Sequence, residues 1–284
     1  MDILIRIILI SFFLLSASCN PQNTVELSNI ENDNFESVEI DLINSGNSKL
    51  SFLALGDSYT IGEGVNENER WPNQFVEVAY ENGLDFEKPE IIAETGWKTF
   101  DLLNAISHTN FTQKYDYVSL LIGVNNQFNS RSIDEFEEDL NKLIDKMNSL
   151  KKSNGNIIII SIPDWGYTPF GNSYNREEIS SEINLFNNSL ITFANSYGLK
   201  YVDVTEISRR ALNESNLLAS DNLHPSGLMY LEWAKKIYET WDRLEKLAKK
   251  LDLKDKLKKF KSEFIYPDDK LYFDGILLVY YQKN

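Results

Sequence analysis

From Lys49 onward, short apolar, β-prone runs alternate with longer segments whose apolar positions recur at helical spacing. Leu50 to Leu55 precedes a helical pattern from Pro72 to Asn82, and Pro89 to Ala93 precedes Lys98 to Ser107. Tyr115 to Ile122 precedes Ile133 to Leu150, and Ile157 to Ile162 precedes Ile179 to Tyr197. Tyr201 to Val204 then leads to a last helix from Gly227. Ile157-Ile158-Ile159-Ile160 carries no polar alternation, as a strand buried on both faces requires. Strands and helices that alternate over short connections predict a parallel sheet covered on both sides. The expected fold class is therefore α/β, a three-layer α/β/α doubly wound sheet with flavodoxin-like strand order. Ligands of such sheets sit beyond the carboxyl ends of the strands. The loops of interest follow Leu55, Ala93, Ile122 and Ile162.

Outside residues 49–243 the pattern changes. Arg6 precedes an apolar run, Ile7 to Leu15, too short to span a bilayer. The small residues Ser16-Ala17-Ser18 follow, so residues 1–18 read as a secretory signal. Cys19, directly after them, resembles a bacterial lipobox, although Ser16 and Asp2 depart from its usual form. That resemblance implies export and a lipid-anchored Cys19, on the periplasmic or surface side of a bacterial membrane. An ordinary cleaved signal is the alternative. Cys19 is the chain's only cysteine, so it has no intramolecular disulfide partner, and acylation would use its thiol. Residues 19–48 are rich in Asn, Asp, Glu and Ser and read as a solvated tether. In residues 244–284, Leu244, Leu247 and Leu251 prolong the helical stripe from Trp241, and eight lysines lie between Lys246 and Lys261. Such a segment is either a membrane-surface helix or a solvated face. Asp274-Gly275, between apolar stretches from Leu271 to Tyr281, predicts a hairpin.

Charge narrows the partners. Lys+Arg is 28 against Asp+Glu 43, a formal net charge of -15, which opposes a nucleic-acid partner because phosphate binding needs clustered cations. Neither a metal site nor a cofactor is read from the sequence.

The strand-exit loops carry the chemistry. They read Gly56-Asp57-Ser58, then Glu94-Thr95-Gly96-Trp97, then Gly123-Val124-Asn125-Asn126-Gln127, with Asp221-Asn222-Leu223-His224-Pro225 near the end. A serine, a glycine, an asparagine and a histidine thus stand where they can converge. From about Phe52 to Tyr238 these four blocks, in this order, resemble the SGNH family of GDSL-type esterases and lipases. The resemblance implies that Ser58 is the nucleophile and His224 the base, with Asp221 orienting it. It also implies an oxyanion hole built from Ser58, Gly96 and Asn125. A serine hydroxyl needs such a base, and His suits the role near neutrality. The other histidine, His108, falls in a polar stretch at a helix end. Read alone, Asp-x-x-His-Pro is a turn before a helix, Gly96 a turn glycine, and Asn125 a residue bonding its own loop. One position departs from the family: the third block usually ends in Asp, and here it is Asn126. No Gly-x-Ser-x-Gly elbow is present.

Candidate substrate contacts are Asp57, Arg70, Trp71, Asn126, Gln127, Arg131, Asp164 and Trp165. The aromatics could stack on a sugar or accept an acyl chain, and core packing is the competing reading. The expected activity is hydrolysis of a carboxylic ester of a small molecule, glycan or lipid. Acyl transfer at the same site, or a surface-tethered binding protein without activity, are the alternatives.

Overall fold

The computed structural model describes residues 49–241, 270–274 and 277–281. The expected signal segment, Cys19, the tether, the basic segment and Gly275 lie outside the described residues.

Five parallel strands form the central sheet: β1 (Phe52–Gly56), β2 (Glu90–Ala93), β3 (Tyr115–Leu121), β4 (Lys151–Ile160) and β5 (Lys200–Val202). Their spatial order is 2-1-3-4-5, the flavodoxin-like order expected. Leu55 pairs with Ile92 on one side and Leu120 on the other, and Leu120 pairs with Ile159. β1 is buried along its whole length, as its unbroken apolar sequence requires. Gly56 ends it because space is lacking: a Cβ there would stand 2.5 Å from the carbonyl oxygen of Leu121.

Helices cover both faces. The one-turn helix α1 (Ser58–Ile61) leads to α2 (Trp71–Glu81), whose first turn accepts Pro72 because no intrahelical N–H bond is needed there. α2 packs against the last helix of this region, α8 (Gly227–Trp241). Between these helices and the sheet, Phe52 meets Trp71 at 6.0 Å and Phe75 at 5.2 Å between ring centroids. The opposite face carries α3 (Thr99–His108), α5 (Ile133–Leu150) and α6 (Arg176–Tyr197). Ser132 and Glu135 form a reciprocal capping box at the start of α5. Its buried Phe136, Leu140, Leu143, Ile144 and Met147 repeat at helical spacing. Asn175 caps α6, and Gly198 ends it at φ 64°. The short helices α4 (Val124–Phe128) and α7 (Thr205–Arg209) complete the set.

Most boundaries move by one to three residues from the hydropathy reading, and those of β4 and β5 have a visible cause. β4 starts at Lys151 rather than Ile157, because its polar half pairs through the backbone and through the Lys152–Asp116 ion pair at 2.7 Å. An irregularity of register, in which Tyr115 faces Lys151 but Tyr117 faces Asn156, absorbs the extra residues. β5 stops at Val202; Val204 instead donates its N–H to Ser161 Oγ (2.7 Å) at the entry to α7. Near the end of the chain, β6 (Lys270–Asp274) and β7 (Leu277–Tyr281) pair antiparallel. No described helix is long and apolar enough to cross a membrane.

Candidate active site

Because the sheet is parallel, the loops leaving β1, β2 and β3 open along one edge. Order 2-1-3 makes the β1/β3 boundary the point where chain direction reverses, the usual crevice of such sheets. Ser58 leaves β1 and Asn125 leaves β3, so the two flank that crevice.

Ser58 is the first residue of α1 and only 5% exposed. Asp57 Oδ1 accepts the N–H of Tyr59 at 3.0 Å, and the Ser58 carbonyl accepts the N–H groups of Gly62 and Glu63, each at 3.0 Å. The nucleophile candidate is thereby fixed at its backbone from both sides. The Asp57 carboxyl is wholly buried. Burial pushes it up to about 7, against the N–H groups of Tyr59, Asp57 and Gly123, which pull it down.

Asp221 and His224 share one loop that is closed upon itself. Ala219 donates its N–H to the His224 carbonyl (2.8 Å), and Ser226 donates to that of Leu217 (2.8 Å). Asn222 turns the chain at φ 59°, a conformation that Asn tolerates better than most residues. Asp221 Oδ1 accepts the N–H groups of Leu223 (2.9 Å) and His224 (3.0 Å), while Oδ2 stands 2.7 Å from His224 Nδ1. Partial burial disfavours the Asp221 charge, but these hydrogen bonds outweigh it and hold the carboxyl below the ordinary range. The carboxylate is ionised at neutral pH, so Nδ1 is the donor and the Nε2 lone pair is left for another proton. The Tyr59 ring lies 5.5 Å from the imidazole and so joins the Ser58 turn to the His224 loop. Among the described residues no hydrogen bond links Ser58 Oγ to His224. In enzymes without bound substrate, such contacts are commonly long.

The β2 and β3 exits are tied together. Asn125 Nδ2 donates to the Trp97 carbonyl at 3.0 Å, one residue beyond Gly96. Gly96 holds φ 87° with nothing within 4 Å of a would-be Cβ, so its backbone is open to an approaching group. Thr95 Oγ1 donates to Glu63 Oε2 at 2.5 Å and links this loop to the one after Ser58. Asn126 is buried. Its Oδ1 accepts the Thr99 N–H (3.1 Å), its Nδ2 donates to Thr99 Oγ1 (2.8 Å), and that hydroxyl donates to Asp139 Oδ2 (2.7 Å). The amide therefore occupies the place of the family's usual Asp as a loop organiser.

Several of the candidate substrate contacts are buried and bonded within the protein, and two of these, Asp164 and Trp165, also line a small cavity with Tyr59 and Met229. Trp71 is fully buried against Phe52, a core residue at the head of α2 rather than a pocket wall. Asp164 is fully buried, accepting from Gly166 N–H, Ser180 Oγ and Arg209 Nε. Trp165 is 4% exposed and donates to Gln127 Oε1 (2.8 Å), while Gln127 Nε2 donates to Glu182 (2.6 Å). The polar groups of Asp164, Trp165 and Gln127 bond within the protein, whereas the Trp71 indole N–H is buried without a hydrogen-bond partner. Arg70 lies half-buried, its side chain against Gly62, and Arg131 is exposed and paired with Glu135 at 2.8 Å. Sequence reasoning passed over Tyr59, Glu63 and Thr95, which join the loops. Only their adjacency to Ser58 and Gly96 could have signalled them. Among the described residues, no group of three or more His, Cys, Asp or Glu is arranged to hold a metal.

Known proteins share this fold. A multidomain esterase from Ruminococcus flavefaciens is 32% identical over 146 residues, covering 49% of this chain but only 18% of that protein. A member of the lipolytic G-D-S-L family from Veillonella parvula superposes with TM-score 0.54 at 18% identity, over 68% of this chain and 98% of that one. An acetyl xylan esterase from Geobacillus stearothermophilus does so with TM-score 0.52 at 20% identity, over 67% and 93%. These likenesses of structure establish the fold. The sequence profile of the GDSL-like lipase/acylhydrolase family matches residues 54–231, the stretch that contains the Ser58, Gly96, Asn125 and His224 loops. By that match the chain belongs to the GDSL-like lipase/acylhydrolase family.

Proposed function

We propose that the enzyme hydrolyses an O-acyl ester of a carbohydrate through an acyl-enzyme at Ser58. The observation that carries this reading is the Asp221–His224 pair, 2.7 Å apart on a loop that fixes the tautomer. In the first step Ser58 Oγ attacks the acyl carbon as His224 Nε2 takes its proton. The carbonyl oxygen becomes an oxyanion, facing the N–H groups of Ser58 and Gly96 and the second amide hydrogen of Asn125. Each such donor contributes roughly 10²–10³ in rate. Collapse of this intermediate expels the alcohol, which takes the proton from His224. Water then attacks the acyl-enzyme, again losing its proton to Nε2, and the carboxylic acid leaves with Ser58 restored. Asp221 stabilises the imidazolium in both halves without itself taking the proton.

A carbohydrate alcohol is supported by the acetyl xylan esterase among the structural relatives. The test is turnover of a graded acyl series, from acetyl to palmitoyl, by wild type and Ser58→Ala. Ser58-dependent turnover is expected, with the short acyl groups preferred. Equal turnover by both proteins would overturn the nucleophile assignment, and acyl transfer to an added alcohol in place of release would make the enzyme a transferase. The same reading includes export and lipidation at Cys19, supported by the signal-like run and the lone cysteine. Labelling by a palmitate analogue should vanish in Cys19→Ala; labelling that persists would refute the anchor.

A further inference from the structure

Four aromatic rings gather where the loops after β3 and β4 meet. Trp165 forms the floor. Phe128, Phe170 and Tyr174 stand around it at 5.5, 5.8 and 5.0 Å between centroids, and at 6.4, 6.2 and 5.8 Å from one another. The floor is 4% exposed, whereas the three upper rings are 45%, 40% and 49% exposed. Exposed apolar side chains that stand singly need no explanation, but a contiguous cluster marks a contact surface. The floor is also rigid, pinned through Trp165 Nε1 to Gln127 and through Gln127 to Glu182.

We propose that Phe128, Phe170 and Tyr174 form a stacking platform for a pyranose ring of the glycan whose ester is presented to Ser58. The substrate assignment rests on the esterase reading above. Two hydrogen bonds connect the platform to the catalytic loops. Phe128 closes α4, one turn beyond Asn125, and the next residue, Asn129, donates its side-chain Nδ2 to the Asn125 carbonyl at 2.7 Å. Phe170 donates its N–H to the carbonyl of Asn222, between Asp221 and His224, at 3.3 Å. A ligand on these rings therefore lies beside both the oxyanion loop and the base.

The chemistry of the surface selects a neutral sugar. Aromatic faces carry negative quadrupole density, which suits the weakly positive C–H face of a pyranose. Asn129, Ser130 and Asn172 are exposed beside the rings, and the Ser130 hydroxyl, the Asn129 Oδ1 left by its bond to Asn125 and the Asn172 Nδ2 left by its bond to Arg176 can meet sugar hydroxyls. The nearby Arg176 is already engaged by the Gly166 carbonyl, Asn172 and the Tyr167 face, and a chain of net charge -15 does not attract an anionic head group. A long acyl chain needs enclosure instead. The cavity that Tyr59, Asp164, Trp165, Leu218 and Met229 help to line has a volume of only about 10 Å³, room for about one water and far too little to enclose an acyl chain.

The test compares the full chain with Phe170→Leu and Tyr174→Ala, each checked for native fold by circular dichroism. Xylohexaose and cellohexaose, which carry no ester, probe binding by calorimetry. At least one is expected to bind wild type and to bind both variants about three- to tenfold more weakly. The ratio of kcat/KM for acetylated oligosaccharide to that for p-nitrophenyl acetate should fall by a similar factor. Failure of both sugars to bind wild type, or equal affinity in all three proteins, would overturn the platform. So would a selective loss of p-nitrophenyl palmitate turnover, which would make the rings an acyl surface. If no ester is turned over in a Ser58-dependent way, the esterase reading fails, and the ester-free sugars still decide the platform.

Discussion

Replacing Asn126 by the family's usual aspartate should destabilise this protein. The Thr99 hydroxyl has one hydrogen. In the wild type it accepts from Asn126 Nδ2 and donates to Asp139 Oδ2, so every group in the chain of bonds is satisfied. An aspartate at position 126 would leave one hydroxyl hydrogen between two carboxylates. These would stand no more than about 5.5 Å apart, the combined length of the 2.8 and 2.7 Å bonds through Thr99. At an effective dielectric of about 20, two unit charges at that separation repel by about 3 kcal/mol. Asp139 has Lys142 Nζ at 3.4 Å, which relieves part of this. The expected net loss is about 2–3 kcal/mol in urea unfolding at pH 7.5, since an unpaired buried acceptor alone costs about 1–3 kcal/mol. Burial and the neighbouring charge would raise the new carboxyl's folded pKa above its unfolded value. The folded state then binds the extra proton more tightly, so the deficit should shrink as pH falls toward 5. The assay is urea denaturation of wild type and Asn126→Asp at pH 7.5 and 5.0. Equal stability of the two at both values would refute the assignment of Asn126 as the donor that completes this network.

Other substitutions probe separate parts of the site. Asp221→Asn retains an acceptor for the Leu223 and His224 N–H groups but presents an amide to Nδ1, so kcat on a short acyl ester should fall by roughly 10⁴; a loss under tenfold would remove Asp221 from the orienting role. Asp57→Asn tests the buried carboxyl raised to about 7. A raised acid makes the folded state least favoured above that pH, so the melting temperature of wild type relative to Asp57→Asn should drop between pH 5.5 and 8.5. A difference that stays constant across that range would show that the carboxyl does not titrate there. Arg209→Met would leave the fully buried Asp164 with only Gly166 and Ser180 as donors. Breaking a buried pair costs about 3–5 kcal/mol, reduced here because Arg209 is itself part-exposed. A loss of about 2–3 kcal/mol in urea unfolding is expected, and a loss below 1 kcal/mol would contradict the pairing.

The buried sheet was readable because β1 and the Ile157–Ile160 half of β4 are apolar on both faces and β3 is interrupted only by Asp116 and Ser119, and the loops that follow inherit their place from it. Lys151–Asn156 was not readable as strand, since backbone pairing and an ion pair to Asp116 leave no hydrophobic trace. Trp71 stands near the nucleophile loop in sequence yet is core, whereas Asp164, at a strand exit, is buried and still lines a small cavity. Whether such a side chain turns inward depends on contacts with Phe52 or Arg209, far away in sequence. His224 and Asp221 were legible together because their hydrogen bond is local, three residues apart. The aromatic tetrad draws on two loops some forty residues apart, and no spacing rule joins them.

The self-closed Leu217–Ser226 loop has a mechanical consequence. In the proposed mechanism, acid (Asp221) and base (His224) are both carried within one ring of backbone hydrogen bonds, so they move as a single rigid body. The proposed nucleophile, Ser58, belongs to another rigid body, the turn locked beneath β1. With two bodies in place of three independent side chains, the trio keeps essentially one adjustable separation, that between imidazole and hydroxyl. Displacement of the loop would change the rate of proton abstraction while leaving the basicity of the histidine untouched. A perturbation of the loop's seat should therefore lower kcat at every pH alike, and a shift in the pH at half-maximal rate would mean that the acid and base had come apart.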